Sequence, residues 1–257
     1  MLLYPAGGLS GHLLKDLLDQ EGLKHQPFLI EGMTRENLIV LEESTGQQFR
    51  FGMPGPTLVG VERERCLYEL TNRSPKPDYI VASGSLPPGA PADFYARITL
   101  IGKQINAKVI VDASGEALKL ALQEGIYLIK PNVREFRELA GGEIKEESQI
   151  KSAARTIVES GQCEAIVISL GAAGAIVASK EAVEHIVPTA VPIISKVGAG
   201  DSMVAGIVLS LAQGRPLKEA VRFGIAAGTA AVMTPGTELC RREDTERLYK
   251  EISGGVE

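Results

Sequence analysis

"AIVISLG", residues 165–171, is apolar at almost every position and ends in a serine and a glycine. A strand with one wet face would alternate; a run like this belongs to a strand buried on both faces. "DYIVASG" (78–84), "KVIVDAS" (108–114) and "YLIKPN" (127–132) share the pattern. Helical periodicity lies between them: about 58–73, after Pro91, a short helix after Ser114, after Asn132, and 147–160. Strands alternating with helices predict an α/β fold with a mainly parallel central sheet covered on both faces. Two more β-type runs follow, "GAIVAS" (174–179) and "EHIVPTA" (184–190), and the end reads as helices at 201–213, 217–233 and 243–252. Nearer the front, "SGHLLKDLLDQEG" (10–22) reads as an amphipathic helix. "NLIVLEESTGQQFRFGM" (37–53) reads as a hairpin about a Ser-Thr-Gly turn, a candidate lid.

Composition narrows the function. The chain has 257 residues, 44% hydrophobic, with a net charge of −5. It is long enough for a large core, and too acidic for a general nucleic-acid binder. The three cysteines, Cys66, Cys163 and Cys240, form no CxxC, and the three histidines do not cluster. A reduced cytoplasmic protein without a structural zinc site is expected. No apolar run reaches membrane-spanning length, so no membrane partner is expected.

In sheets of this kind ligands bind beyond the carboxyl ends of the strands. "SGSLPPG" (83–89), Asp112, "KPNVRE" (130–135) and "SLGAAG" (169–174) all follow strands. "GAGDSM" (198–203) opens a helix. No GxxxxGK[ST] occurs, and Met203 stands where a dinucleotide loop has its last glycine. Gly198, Ala199 and Gly200 can turn successive N–H groups into one concavity at the positive end of the helix, a seat for a transferred phosphoryl group. Asp201 ordinarily would cap that helix; beside an anion pocket it is also placed to take a proton from an attacking hydroxyl. Asn132 and Glu135 have capping-box spacing, and their oxygens equally suit Mg²⁺ through water. The glycines of 169–175 make a turn or a close approach for a nucleotide. Ser85 punctuates a strand or meets a polar ligand, and Arg35 is a surface cation or a phosphate contact.

Together "KVGAGDSMVAG", "SGSLPPG", "VDASGEAL", "KPNVRE" and "SLGAAGA" resemble the ribokinase-like (PfkB) carbohydrate kinase family, and "YPAGGLSG", "TRENL", "RFGMPG", "RFGIAAGTAA" and "GTELC" look most like its phosphofructokinase branch. The resemblance runs through the whole chain in order. It implies a three-layer α/β/α domain over 1–257 with a small, incomplete β lid at 26–54, and ATP-dependent phosphorylation of a ketohexose phosphate, fructose 6-phosphate first. Fructose 1-phosphate and tagatose 6-phosphate are the alternatives, and an inactive nucleotide-binding fragment is the non-enzymatic one. By the same likeness Asp201 is the base, and Gly198, Ala199 and Gly200 the anion hole. Lys130, Asn132, Ser169, Gly171 and Gly174 line the ATP site, and Asn132 and Glu135 serve Mg²⁺. Arg35 and Ser85 hold the sugar phosphate. Ser195, Val197, Ala231 and Gly236 match a monovalent (K⁺) cation site, although Thr234 and Glu238 depart from the pattern around it. Relatives dimerise through their lids, so a homodimer is expected. The family's leading strand, first lid strands and GGxGxN sugar segment have no counterpart here. A chain incomplete at its front, binding ATP weakly and turning over little, is therefore the expectation.

Overall fold

The computed structural model describes residues 1–142 and 144–254. Its elements begin with β1 (Leu2–Ala6), α1 (Gly8–Gln20) and β2 (His25–Leu29), then the hairpin β3 (Asn37–Glu42) and β4 (Gln47–Gly52). The body follows: α2 (Gly60–Thr71), β5 (Tyr79–Ser83), α3 (Phe94–Ile105), β6 (Lys108–Asp112), α4 (Gly115–Gln123) and β7 (Ile126–Ile129). After these come α5 (Val133–Ala140), α6 (Glu147–Glu159), β8 (Cys163–Ser169), β9 (Ala175–Ser179) and β10 (Val183–Ile186). The helices α7 (Ala199–Ala212), α8 (Leu217–Ala231) and α9 (Arg242–Ile252) close the chain.

The body sheet has six strands in the order β10-β9-β8-β7-β6-β5. β5 to β8 are parallel, and β9 and β10 fold back antiparallel. Burial explains the apolar runs. In β6, Val109 and Val111 pack towards α3, α4, α5 and α6, while Ile110 packs towards α7 and α8. In β8, Ile166 and Ile168 take the first face and Ala165 and Val167 the second. Side chains alternate across a strand, so a strand covered on both faces must be apolar throughout. Two of the three free thiols are absorbed by this packing: burial pushes Cys66 up to about 11 and Cys163 up to about 12. Among the described residues, no helix is long and apolar enough to cross a membrane.

The front of the chain differs from expectation. β1 and β2 form their own parallel two-stranded sheet, with α1 as the crossover between them. Proline argues against a central strand, and Pro5 and Pro27 sit inside these two, which is why the run of residues reads poorly. The segment assigned to the lid, 26–54, is therefore narrower: residues 26–29 belong to β2, and the hairpin proper is β3 and β4. Register pairs Leu38 with Phe51 and Val40 with Phe49, so these four share one face of the ribbon, and all four are exposed.

α7 and α8 cross at unusually close range. A Cβ on Gly224 would stand 2.4 Å from Ile207 Cγ1 and 2.7 Å from the Met203 carbonyl, and one on Gly206 would stand 2.9 Å from Gly224 Cα. Only hydrogen fits at either position. Gly224→Ala should lower stability by about 2 kcal/mol through overpacking, read as a fall in the urea midpoint at unchanged slope.

Candidate active site

The carboxyl ends of β5 to β8 and the start of α7 converge on one region. α7 begins after Gly198, whose φ of 76° is left-handed. No atom lies within 4 Å of a Cβ built there, so the demand for glycine is conformational rather than steric. The turn leaves the first N–H groups of α7 without a side-chain cap, which is the arrangement that attracts anions. Asp201 is not the cap, as one sequence reading had it. It is the third residue of the helix, it is exposed, and its carboxylate makes no hydrogen bond or ion pair among the described residues.

Beneath this turn lies an ion pair. Lys130 Nζ stands 3.3 Å from Asp112 Oδ1, with side chains 7% and 17% exposed. Burial pushes the Asp112 carboxyl up from its usual range, the neighbouring Lys130 ammonium opposes that shift, and Asp201 and Glu135 add to it. The same ammonium lies 3.5 Å from where a Cβ on Gly200 would be. One buried cation thus serves both the end of β6 and the helix turn. Asp112, barely legible as a site residue from its position after a strand, belongs to the site by geometry.

Asn132 and Glu135 form a true capping box at α5: Glu135 N–H donates to Asn132 Oδ1 at 3.0 Å, and Asn132 N–H donates to Glu135 Oε2 at 2.9 Å. A β-bridge joins Asn132 to Ser169, so the ends of β7 and β8 come together. Gly171 (φ 64°) has open space about it, whereas a Cβ on Gly174 would lie 2.1 Å from the Ile186 carbonyl. Gly174 is therefore required by the packing of β10, and Gly171 is the one that leaves room for a ligand.

The remaining predicted residues fall into two groups. The Ser195 hydroxyl is buried and donates to the Gly236 carbonyl at 2.7 Å. Val197 N–H donates to the Ser195 hydroxyl at 3.2 Å, and the Ala231 carbonyl accepts from Thr234 at 2.8 Å. Ser195 N–H reaches the Val232 carbonyl, so the loop with Ser195 and Val197 touches the end of α8, Ala231, and the loop with Gly236 that follows it. The lid reaches this place too: Gln48 Oε1 of β4 is 3.4 Å from the Ser195 hydroxyl. Nothing in the sequence pointed to Gln48. Arg35 and Ser85 are exposed and unpaired among the described residues. The loop carrying Ser85 is held by the buried Tyr95, whose phenol donates to the Gly84 carbonyl at 2.7 Å, and burial raises that phenol to about 12, so it stays a donor. Arg35 lies across from this loop, since a Cβ on Gly55 would be 3.8 Å from Arg35 Cδ and 3.9 Å from Pro88 Cδ. Among the described residues no cluster of His, Cys, Asp and Glu could hold a metal by itself.

An uncapped helix start with a free carboxylate, a buried lysine and glycine loops at the ends of parallel strands supply the kinds of group that phosphoryl transfer uses. The model of the pfkB family of carbohydrate kinases matches residues 2–244, and the chain belongs to that family. It is a phosphotransferase of three-layer, ribokinase-like fold. It is 41% identical to the ATP-dependent 6-phosphofructokinase isozyme 2 of Mycobacterium tuberculosis, over 96% of this chain and 73% of that one. The crystal structure of phosphofructokinase-2 from Escherichia coli in complex with potassium superposes with a TM-score of 0.93 at 39% identity, covering 98% of this chain and 81% of that one. The same enzyme in complex with fructose 6-phosphate superposes at 0.91 and 38% identity, with the same coverage.

Removing one partner of a buried pair strands the other charge. Lys130→Met should cost about 3 kcal/mol in chemical denaturation, and adding Asp112→Asn should recover most of it.

Proposed function

We propose that the protein transfers the γ-phosphoryl group of ATP to the C1 hydroxyl of fructose 6-phosphate, giving fructose 1,6-bisphosphate and ADP. The observation that carries this reading is Asp201, an unpartnered carboxylate in the first turn of a helix whose N–H groups have no side-chain cap. The sugar oxygen attacks the γ-phosphorus in line as the bond to the β-phosphate oxygen breaks. Asp201 takes the hydroxyl proton. The N–H groups following Gly198, with Lys130 beside Gly200, stabilise the charge on the transferred group. Lys130, Asn132, Ser169, Gly171 and Gly174 lie along the nucleotide, with Gly171 giving the close approach. Arg35, on the stem that leads into the lid, and Ser85 after β5 hold the sugar phosphate from opposite sides.

Mg²⁺ suits this donor set. Asp112, Asp201 and Glu135 interact electrostatically around one lysine, so negative charge is in excess where a polyphosphate must come. Asn132 and Glu135 offer oxygens only, which suits a hard cation held partly through water. Its contribution when bound is to neutralise charge on the phosphates. Backbone carbonyls of Ser195, Val197, Ala231 and Gly236 suit K⁺ in the same way: that of Gly236 accepts one hydrogen bond and keeps a second lone pair.

ADP release should be fastest with fructose 6-phosphate, against fructose 1-phosphate and tagatose 6-phosphate. Asp201→Asn should lower kcat by about 10³-fold with little change in ATP affinity; a loss of only a few-fold would rule it out as the base. Arg35→Ala should raise the KM for sugar phosphate about tenfold and leave that for ATP unchanged.

The partner we propose is a second copy of the chain. Leu38, Val40, Phe49 and Phe51 form an apolar face on the side of the ribbon opposite the one that carries Gln48, and a face of that kind is a contact surface. Phe49→Ser with Phe51→Ser should turn a dimer into a monomer in sedimentation velocity.

A further inference from the structure

Between the lid and the body the chain crosses twice, at 30–36 on the way in and 53–59 on the way out. One buried carboxylate holds both crossings. Glu62, in the first turn of α2 and 6% exposed, accepts the Glu31 N–H at 2.7 Å on Oε1 and the Val59 N–H at 2.8 Å on Oε2. It forms no ion pair among the described residues, and its two oxygens accept from two backbone groups, Glu31 and Val59, that lie far from each other in sequence. The crossings also touch: a Cβ on Gly32 would lie 2.4 Å from Pro56 Cβ. The next residue, Arg63, donates from Nη1 to the Leu58 carbonyl and to the Gly89 carbonyl, each at 2.6 Å. Leu58 N–H in turn donates to the Pro88 carbonyl. The start of α2 therefore gathers the inbound stem, the outbound stem and the loop that carries Ser85.

We propose that Glu62 is a positioning residue for the lid, setting the stance of the hairpin and with it the place of Arg35 over the carboxyl ends of the strands. The argument is geometric. Charge-assisted hydrogen bonds to backbone N–H groups are short and directional. A carboxylate with both oxygens engaged fixes the spacing of the two stems, because its two oxygens are rigidly related. Arg35 sits four residues beyond Glu31 on the inbound stem, and Gln48 at the far part of the hairpin meets Ser195. A small change of angle at the stems is therefore a larger displacement at the hairpin. Glu62 touches no reacting atom and acts through the lid alone. This inference rests on the reading of Arg35 as the sugar-phosphate contact.

Glu62→Met keeps the volume and removes both acceptors, and Glu62→Gln keeps one acceptor oxygen. Amide exchange by NMR, in the protein without ligand, should show the Glu31 and Val59 amides exchanging about tenfold faster or more in Glu62→Met and to an intermediate degree in Glu62→Gln. Amides of β6, β7 and β8 should be unchanged, which establishes that the body is folded. Titration should show fructose 6-phosphate affinity falling about tenfold in Glu62→Met with ATP affinity unaltered. If Glu62→Met exchanges like the parent protein, or if both affinities fall together, the proposal is overturned. If the parent protein binds ATP but no fructose 6-phosphate, the proposed substrate is wrong, and the exchange of the Glu31 and Val59 amides alone decides the role of Glu62.

Discussion

A sheet buried on both faces can carry polar side chains only at its ends. In β6 the residues Val109, Ile110 and Val111 are at most 3% exposed, and the first residue free to be charged is Asp112. The same holds after β7, where Lys130 follows Ile129, and after β8, where Ser169 follows Ile168. Because β5 to β8 are parallel, these ends lie on one side of the molecule. The cost of burying a charge along the strands thus collects the chemistry into one row. Asp112 and Lys130 are themselves nearly buried, and they are tolerated there as a pair.

The turn at the start of α7 depends on a second constraint, the close contact of α7 with α8. Gly206 and Gly224 let the helices touch, and a Cβ on Gly228 would lie 2.9 Å from the Ala199 carbonyl. A side chain at Gly228 would push on the Ala199 peptide in the first turn of α7. The packing that holds α7 against the sheet thus also sets the place of its N-terminus relative to Lys130.

The lid is held differently. It has no core of its own, and its exposed apolar face looks away from the body. At the stems it is tied down by buried Ile30 and Leu58, which pack with Phe28, and by polar contacts in which Glu62 accepts from both stems; Gln48 adds one contact at the far part of the hairpin.

Most strands and helices could be placed from the apolar pattern, because burial on both faces leaves an uninterrupted signature that turn residues then punctuate. The motif residues after the strands were legible for the same reason. β1 and β2 were not, since a small two-stranded sheet with Pro5 and Pro27 in it has neither the length nor the regularity to stand out. Nor could the sequence assign roles within the loops. Asp201 reads as a helix cap, and only the left-handed Gly198 shows that it lies a turn later with its carboxylate free. Gly174 reads as a nucleotide approach, and only the Ile186 carbonyl shows that packing demands it. Glu62 looks like any surface glutamate in a Glu-Arg-rich helix. By itself, then, the sequence determined the layers of the fold and the row of chemical groups at the strand ends, because local hydrophobic pattern encodes burial. Only the tertiary structure decided which of those groups pair, which stay free and what holds the lid. Those outcomes are set by contacts between segments tens of residues apart, which no local pattern records.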